Sequence, residues 1–161
     1  MLKIGVLGVG HLGTIHLKCI QLVERLELVG CYDIDEEKCK STAAAYGIKA
    51  FESPEDLIEA VDIVDIVTPT VSHFELAETA IKSGRHLFIE KPLTHTIEEG
   101  RRLLELGQAH QIKIQVGHVE RFNPAFLALS EHELAPMFID CLLYTSPSPR
   151  DQRGSRMPSS A

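Results

Sequence analysis

The stretch that most constrains this chain is Leu2 to Gly13, LKIGVLGVGHLG. A short apolar run, Ile4 to Leu7, leads into Gly8-Val9-Gly10-His11-Leu12-Gly13. This is a G-x-G-x-x-G placed where a strand ends and a helix begins. In that setting Gly8 allows a tight turn, Gly10 lets a pyrophosphate approach the backbone, and Gly13 lets the helix pack close to the strand. Free N–H groups and the positive end of the helix then hold the phosphates. The context agrees with this reading. Leu12, Ile15, Ile20 and Val23 are the apolar positions of the following helix, and Glu27 to Cys31 reads as a second strand. Asp33 ends that strand, twenty residues after Gly13, where an acid accepts hydrogen bonds from a ribose. The pattern implies dinucleotide binding. The bland alternative is an ordinary glycine-rich turn with a solvent-facing Asp33.

Further along, helices and strands alternate. Asp35 to Tyr46 reads as a helix ended by Gly47, and Ile48 to Phe51 as a short third strand. Ser53-Pro54-Glu55-Asp56 is a helix start, with a cap residue, a proline at the first helical position and acids in the first turn. That helix ends near Ala60, and Asp62 to Val67 is a fourth strand, apolar apart from its two aspartates. A loop from Thr68 to His73 leads into a helix from Phe74 to Ser83, closed by Gly84. His86 to Ile89 is a fifth strand, followed at once by Glu90-Lys91-Pro92. Thr96 to Gln111 is a long amphipathic helix with Ile97, Leu103, Leu104 and Leu106 apolar, and Ile112 to Val116 a sixth strand ended by Gly117. Nearly continuous apolar strands alternating with helices specify an α/β fold with a doubly wound parallel sheet. Ligands bind beyond the C-terminal strand ends of such sheets. Three loops fall there together: Gly8 to Gly13, Thr68 to His73, and Glu90 to Pro92.

The 161 residues suffice for one domain with a core of its own, and 44% hydrophobic content suits a globular protein. A net charge of −7 argues against nucleic-acid partners. No apolar run is long enough to span a membrane. The N-terminal run is short, glycine-rich and used as a strand, so it does not read as a signal peptide. Cys19, Cys31, Cys39 and Cys141 lack metal-ligand spacing and read as core or incidental thiols in a reducing cytoplasm, with no metal site. From Cys141 the composition changes to CLLYTSPSPRDQRGSRMPSSA, with three arginines against one aspartate and no apolar periodicity. Residues 141–161 are therefore expected to be disordered. They resemble translated sequencing-adapter read-through and are expected to be non-native.

The motifs upstream resemble the N-terminal domain of the glucose–fructose oxidoreductase / inositol dehydrogenase family (Gfo/Idh/MocA). The resemblance runs from Leu2 to about Asp140. It rests on GVLGVGHLG with His16 downstream, on Asp33, on TPTVSHFELAETAIKSGRHLFIEKPL and on GHVERFNPA. It implies a Rossmann domain over 1–120, the start of a truncated substrate domain over 121–140, and the rest of that second domain missing. It further implies an NAD- or NADP-dependent oxidoreductase, a dehydrogenase acting on CH–OH in a sugar, cyclitol or sugar-nucleotide. The parent protein would be a homo-oligomer. GHVERFNPA resembles members acting on UDP-amino sugars. Two rival readings stand: a catalytically silent NAD-binding module or redox sensor, and a different Rossmann enzyme, against which the placement of Glu90-Lys91-Pro92 argues.

The resemblance also assigns roles. Lys91 is the expected catalytic residue, holding the reacting hydroxyl and shuttling its proton, since partial burial beside a cationic nicotinamide destabilises an ammonium. Glu90 orients the cofactor or Lys91, and Pro92 fixes the turn. Gly8, Gly10, His11, Leu12, Gly13, Asp33, Ile34, Thr68, Pro69, Thr70, His73, Glu90 and Lys91 form the expected cofactor site, with a cap or core role the alternative for His73. His16 reads as a packed histidine. His118, Arg121 and Asn123 are candidates for substrate contact or for tying two domains together. The carboxylate of Asp33 repels a 2′-phosphate and no arginine directly follows it, so NAD(H) is expected over NADP(H).

Overall fold

A computed structural model of the chain describes residues 1–131. The expectations for 132–140 and for the tail from Cys141 lie outside the described residues. The first strand, β1 (Leu2–Leu7), is buried from Ile4 onward. It pairs on one side with β2 (Leu26–Tyr32) and on the other with β4 (Ile63–Ile66), both parallel. Adding β3 (Lys49–Ala50), β5 (His86–Ile89) and β6 (Ile114–Val116) gives one six-stranded sheet in the order β3-β2-β1-β4-β5-β6. All its strand pairs are parallel. The chain starts in the middle, winds outward to β3, then crosses to β4 and winds the other way. The two sets of helices pack into separate cores, as crossovers of one hand on either side of the switch require.

Two cores result, divided by the alternation of side chains along each strand. Ile4 and Val6 of β1 pack with Leu17, Ile20, Cys39 and Ala43 from α1 (His11–Gln21) and α2 (Glu36–Tyr46). Leu7, Val64, Ile66 and Ile89 pack with Leu57, Ile81 and Leu103 from α3 (Pro54–Ala60), α4 (His73–Lys82) and α5 (Ile97–Ala109). Helix starts follow the local chemistry. Asp35 caps α2, Ser53 caps α3 ahead of Pro54, and Thr96 and Glu99 form a reciprocal capping box on α5.

The doubly wound parallel sheet agrees with the sequence reading, and several details differ. The buried stripe of α1 is Gly13, Leu17 and Ile20, while Leu12, Ile15 and Val23 are exposed. Ile15 and Val23 instead line a groove of about 770 Å³ with Ile63, Phe88 and Ile114. On α5, Ile97 and Leu104 are likewise exposed and Leu103, Leu106 and Gly107 are buried. The sixth strand begins at Ile114 rather than Ile112, because the Ile112 N–H is still donated to the Gly107 carbonyl in closing α5. From Arg121 the chain forms a second unit. Its described part is the end of a 3₁₀ turn, a single helical turn α6 (Pro124–Leu127) and a further 3₁₀ turn.

Gly13 is where the strand–helix unit is tightest. A Cβ there would overlap the carbonyl oxygen of Gly8. Gly13→Ala should therefore destabilise the domain by about 1–3 kcal/mol, the usual range for overpacking a close contact. Thermal unfolding followed by circular dichroism would show the lowered Tm.

Candidate functional site

Because the strands are parallel, their C-terminal ends share one edge. The last hydrogen bonds of the ladders hand the chain over to the loops there. Gly8 N–H donates to Tyr32 O (2.8 Å), Val67 N–H to Leu7 O (2.8 Å), Glu90 N–H to Ile66 O (3.0 Å) and Gly117 N–H to Ile89 O (2.8 Å). Four loop starts thus sit side by side before any side chain is considered.

The glycine loop has the geometry a pyrophosphate needs. Gly8 turns the chain at φ 93°, in the left-handed region. Among the described residues a Cβ on Gly10 would meet nothing within 4 Å, so its backbone is open to approach. Helix α1 starts there with neither a side-chain cap nor an acid in its first turn. Its leading N–H groups therefore face outward with the positive end of the helix dipole. His11 and Leu12 are exposed beside them. Asp33 is fixed against the same loop: its Oδ2 accepts from Val9 N–H at 2.7 Å and its Oδ1 from Asp35 N–H at 3.0 Å. Each oxygen keeps a second lone pair for a ribose hydroxyl. Ile34 projects into solvent at 91% exposure. These residues fit a dinucleotide.

The other two loops are tied together by His73. This residue is 1% exposed, and its ring nitrogens face carbonyl oxygens on both sides. Nε2 lies 2.9 Å from Thr68 O, and Nδ1 lies 3.0 Å from Pro92 O and 3.3 Å from Leu93 O. Ser72 Oγ donates to Thr68 Oγ1 at 2.8 Å and packs the turn over Pro69. His73 therefore has a core position and clasps the loop of Thr68, Pro69 and Thr70 to the Lys91-Pro92 turn, whose peptide bond is cis. Glu90 is 7% exposed, and its Oε2 accepts the N–H of Lys91 at 3.1 Å. Lys91 itself is exposed, not partly buried as its expected role suggested. The strand ends at Ile89, the carboxylate of Glu90 turns inward, and the next side chain is left to point outward.

Sequence reasoning missed a buried ionic cluster beneath this turn. His16 Nδ1 lies 2.9 Å from Asp65 Oδ2, and His16 Nε2 lies 3.3 Å from Glu90 Oε1. The hydrogen bond to Asp65 holds the imidazole above its ordinary pKa, with help from the charge of Glu90. Burial raises the Asp65 carboxyl. The signal was present in the sequence: an aspartate within the apolar run of β4 needs a partner. His118 follows β6 and is exposed. Arg121 and Asn123 lie in the second unit, where the Asn123 side chain accepts Ala125 N–H at 3.0 Å and caps α6. Cys19, Cys31 and Cys39 are free thiols, and burial beside Cys39 pushes Cys31 up to about 12. Among the described residues no group of three or more His, Cys, Asp or Glu could hold a metal ion, and no helix is long and apolar enough to cross a membrane.

The fold and this edge define a dinucleotide-binding α/β domain. The chain belongs to the GFO_IDH_MocA oxidoreductase family, whose NAD-binding Rossmann fold model matches residues 2–118. It is 36% identical over 140 residues to UDP-N-acetylglucosamine 3-dehydrogenase of Acidithiobacillus ferrooxidans, covering 86% of this chain and 44% of that protein. It is 31% identical over 133 residues to myo-inositol 2-dehydrogenase of Thermotoga maritima, covering 81% and 40%. The solved structure of the Acidithiobacillus enzyme superposes with a TM-score of 0.77 at 38% identity, over 81% of this chain and 42% of that one. The chain thus spans less than half the length of these relatives.

The ionic cluster makes stability depend on pH. His16 is raised, so its contribution is fully present below about 6.5 and is lost as pH rises through the folded value. Asp65 is also raised, so its ionisation opposes folding above the ordinary carboxylate range. Both effects act in one direction. Tm should fall between mildly acidic and alkaline pH, and Asp65→Asn, which removes the raised carboxyl and the main cause of the His16 shift together, should flatten that dependence in differential scanning fluorimetry.

Proposed function

We infer that this chain is the cofactor-holding part of an NAD(H)-dependent dehydrogenase acting on a CH–OH carbon of a sugar, cyclitol or sugar-nucleotide. The observation that carries the reading is the meeting, at one sheet edge, of the Gly8–Gly13 loop, Asp33 and the Glu90-Lys91-Pro92 turn. The open N-terminus of α1 holds the pyrophosphate and Asp33 accepts the adenosine ribose hydroxyls. Thr68, Pro69 and Thr70 pack along the cofactor, held by His73. When bound, the nicotinamide supplies the hydride acceptor or donor. The Nζ of Lys91 binds the reacting oxygen, takes the hydroxyl proton during oxidation and returns it during reduction. Both carboxylate oxygens of Glu90 are engaged within the protein, so Glu90 orients this turn rather than exchanging protons. His118, Arg121 and Asn123 lie beyond β6 and are the candidates for substrate contact. Among substrates, the likeness to UDP-N-acetylglucosamine 3-dehydrogenase favours a UDP-amino sugar.

Lys91→Ala should still bind NADH in calorimetry. It should lower turnover of the complete enzyme roughly 10²–10⁴-fold, the span of a positioned acid–base group. Near-normal turnover would remove Lys91 from the chemistry, and NADH binding with no turnover of any sugar by the unaltered enzyme would favour a silent binding module. Asp33 also sets the cofactor. Opposing a carboxylate to a 2′-phosphate costs several kcal/mol, so NADPH should bind at least about tenfold more weakly than NADH. Equal affinities in parallel titrations would refute that assignment.

A further inference from the structure

Stability alone does not account for the His16–Asp65–Glu90 cluster. Asp65 is 2% exposed, and its buried Oδ1 has no hydrogen-bond partner among the described residues. Burying ionised groups costs several kcal/mol each after relaxation, and well-packed apolar residues of similar volume are often as stable or more so. The geometry suggests another reason for it. Asp65 Oδ2 seats His16 Nδ1 at 2.9 Å, and the opposite ring nitrogen meets Glu90 Oε1 at 3.3 Å. The other Glu90 oxygen accepts the Lys91 N–H at 3.1 Å. Each link uses the far side of the group before it, so the chain of contacts runs in one direction and ends on the Lys91 backbone. It has little slack. A Cβ on Gly117 would come within 2.5 Å of Glu90 Oε1, and the Phe88 ring packs edge-on against His16 with centroids 5.8 Å apart.

We propose that His16, seated by Asp65 and acting through Glu90, is a positioning residue that sets the backbone of Lys91 and hence the point from which its ammonium reaches the reacting oxygen. This rests on the reading of Lys91 as the catalytic group. A carboxylate holding one ring nitrogen fixes the orientation of the other, as it does behind metal-bound and catalytic histidines. The titratable groups acting on His16 are Asp65 from β4 and Glu90 from the end of β5. Both partners are carboxylates, so the hydrogen bond to Asp65 and the ion pair with Glu90 are made together only while the ring carries two protons. When the ring loses one, one of the two links fails and the hold on Glu90 changes. The position of Lys91 therefore follows the protonation of His16.

The test is a pH titration of the 161-residue chain by ¹H–¹⁵N NMR, following the His16 ring and the Lys91 amide together with no cofactor or substrate present. The Lys91 amide should titrate at the midpoint of the His16 ring. In Asp65→Asn both midpoints should move down together, toward the ordinary value of about 6.5. In His16→Gln the Lys91 titration should vanish. A merely structural role for the cluster predicts loss of folding in these variants but no shared midpoint in the unaltered chain. A Lys91 amide that stays flat while His16 titrates overturns the proposal, and so does one that titrates unchanged in His16→Gln. If His16→Gln does not fold, the near-isosteric Asp65→Asn carries the same comparison. A flat Lys91 amide sinks this coupling, whereas full turnover of Lys91→Ala sinks the catalytic reading on which it rests.

Discussion

The structure depends on the parallel pairing of β1 between β2 and β4. That pairing sets which residue follows each ladder, and so which loops become neighbours. The register Leu7↔Tyr32 and Leu7↔Ile66 brings Gly8, Asp33 and Thr68 to one edge. The next pairing, Ile66↔Ile89, adds Glu90. A slip of one residue would turn every strand side chain to the other face, and the two cores on either side of the sheet forbid it. Site geometry is thus inherited from packing. Leu7 and Ile66 are fully buried on one face, Val6 on the other, and the residues just beyond them have no choice of place.

The site divides its polar groups into those committed inward and those left outward. Val9 N–H and Asp35 N–H hold Asp33, His73 clasps two loops through carbonyl oxygens, and Glu90 is occupied on both oxygens. The first turn of α1 and the ammonium of Lys91 face outward instead. An outward N–H array attracts phosphate, and an outward ammonium attracts a hydroxyl or an alkoxide. The inward groups give those outward ones fixed positions, which a site needs in order to bind reproducibly at the level of tenths of an ångström.

Much of this was legible in the residues. The glycine spacing, the apolar strands and the cap at Ser53 are local signals, and they located the strands and the helices; the caps at Asp35 and Thr96 are as local but went unread. The partnership of His16 with Asp65 spans 49 positions of sequence and depends on how α1 lies over β4. No local pattern encodes that. On α1 and α5 only some of the apolar residues are covered. Ile15, Val23, Ile97 and Leu104 are apolar, yet the helix positions that meet the sheet are those of Leu17, Ile20, Leu103 and Leu106. An apolar residue is a statement about its own transfer to oil, and only the docked helix decides which face is covered.

The exposure of Lys91 has a consequence for how its chemistry is controlled. A buried lysine would have its proton affinity fixed by the protein interior. An exposed one is governed by whatever closes over it, which in the proposed role is the cofactor and the substrate. The protein's own contribution is then the place of the backbone from which the side chain starts. That place is held by Glu90 through the Lys91 N–H and by His73 through the Pro92 carbonyl, one clasp on each side of the residue. Neither clasp is made to the ammonium, so the side chain keeps its freedom while its origin stays fixed. A rigid base carrying a mobile tip suits the role proposed for Lys91.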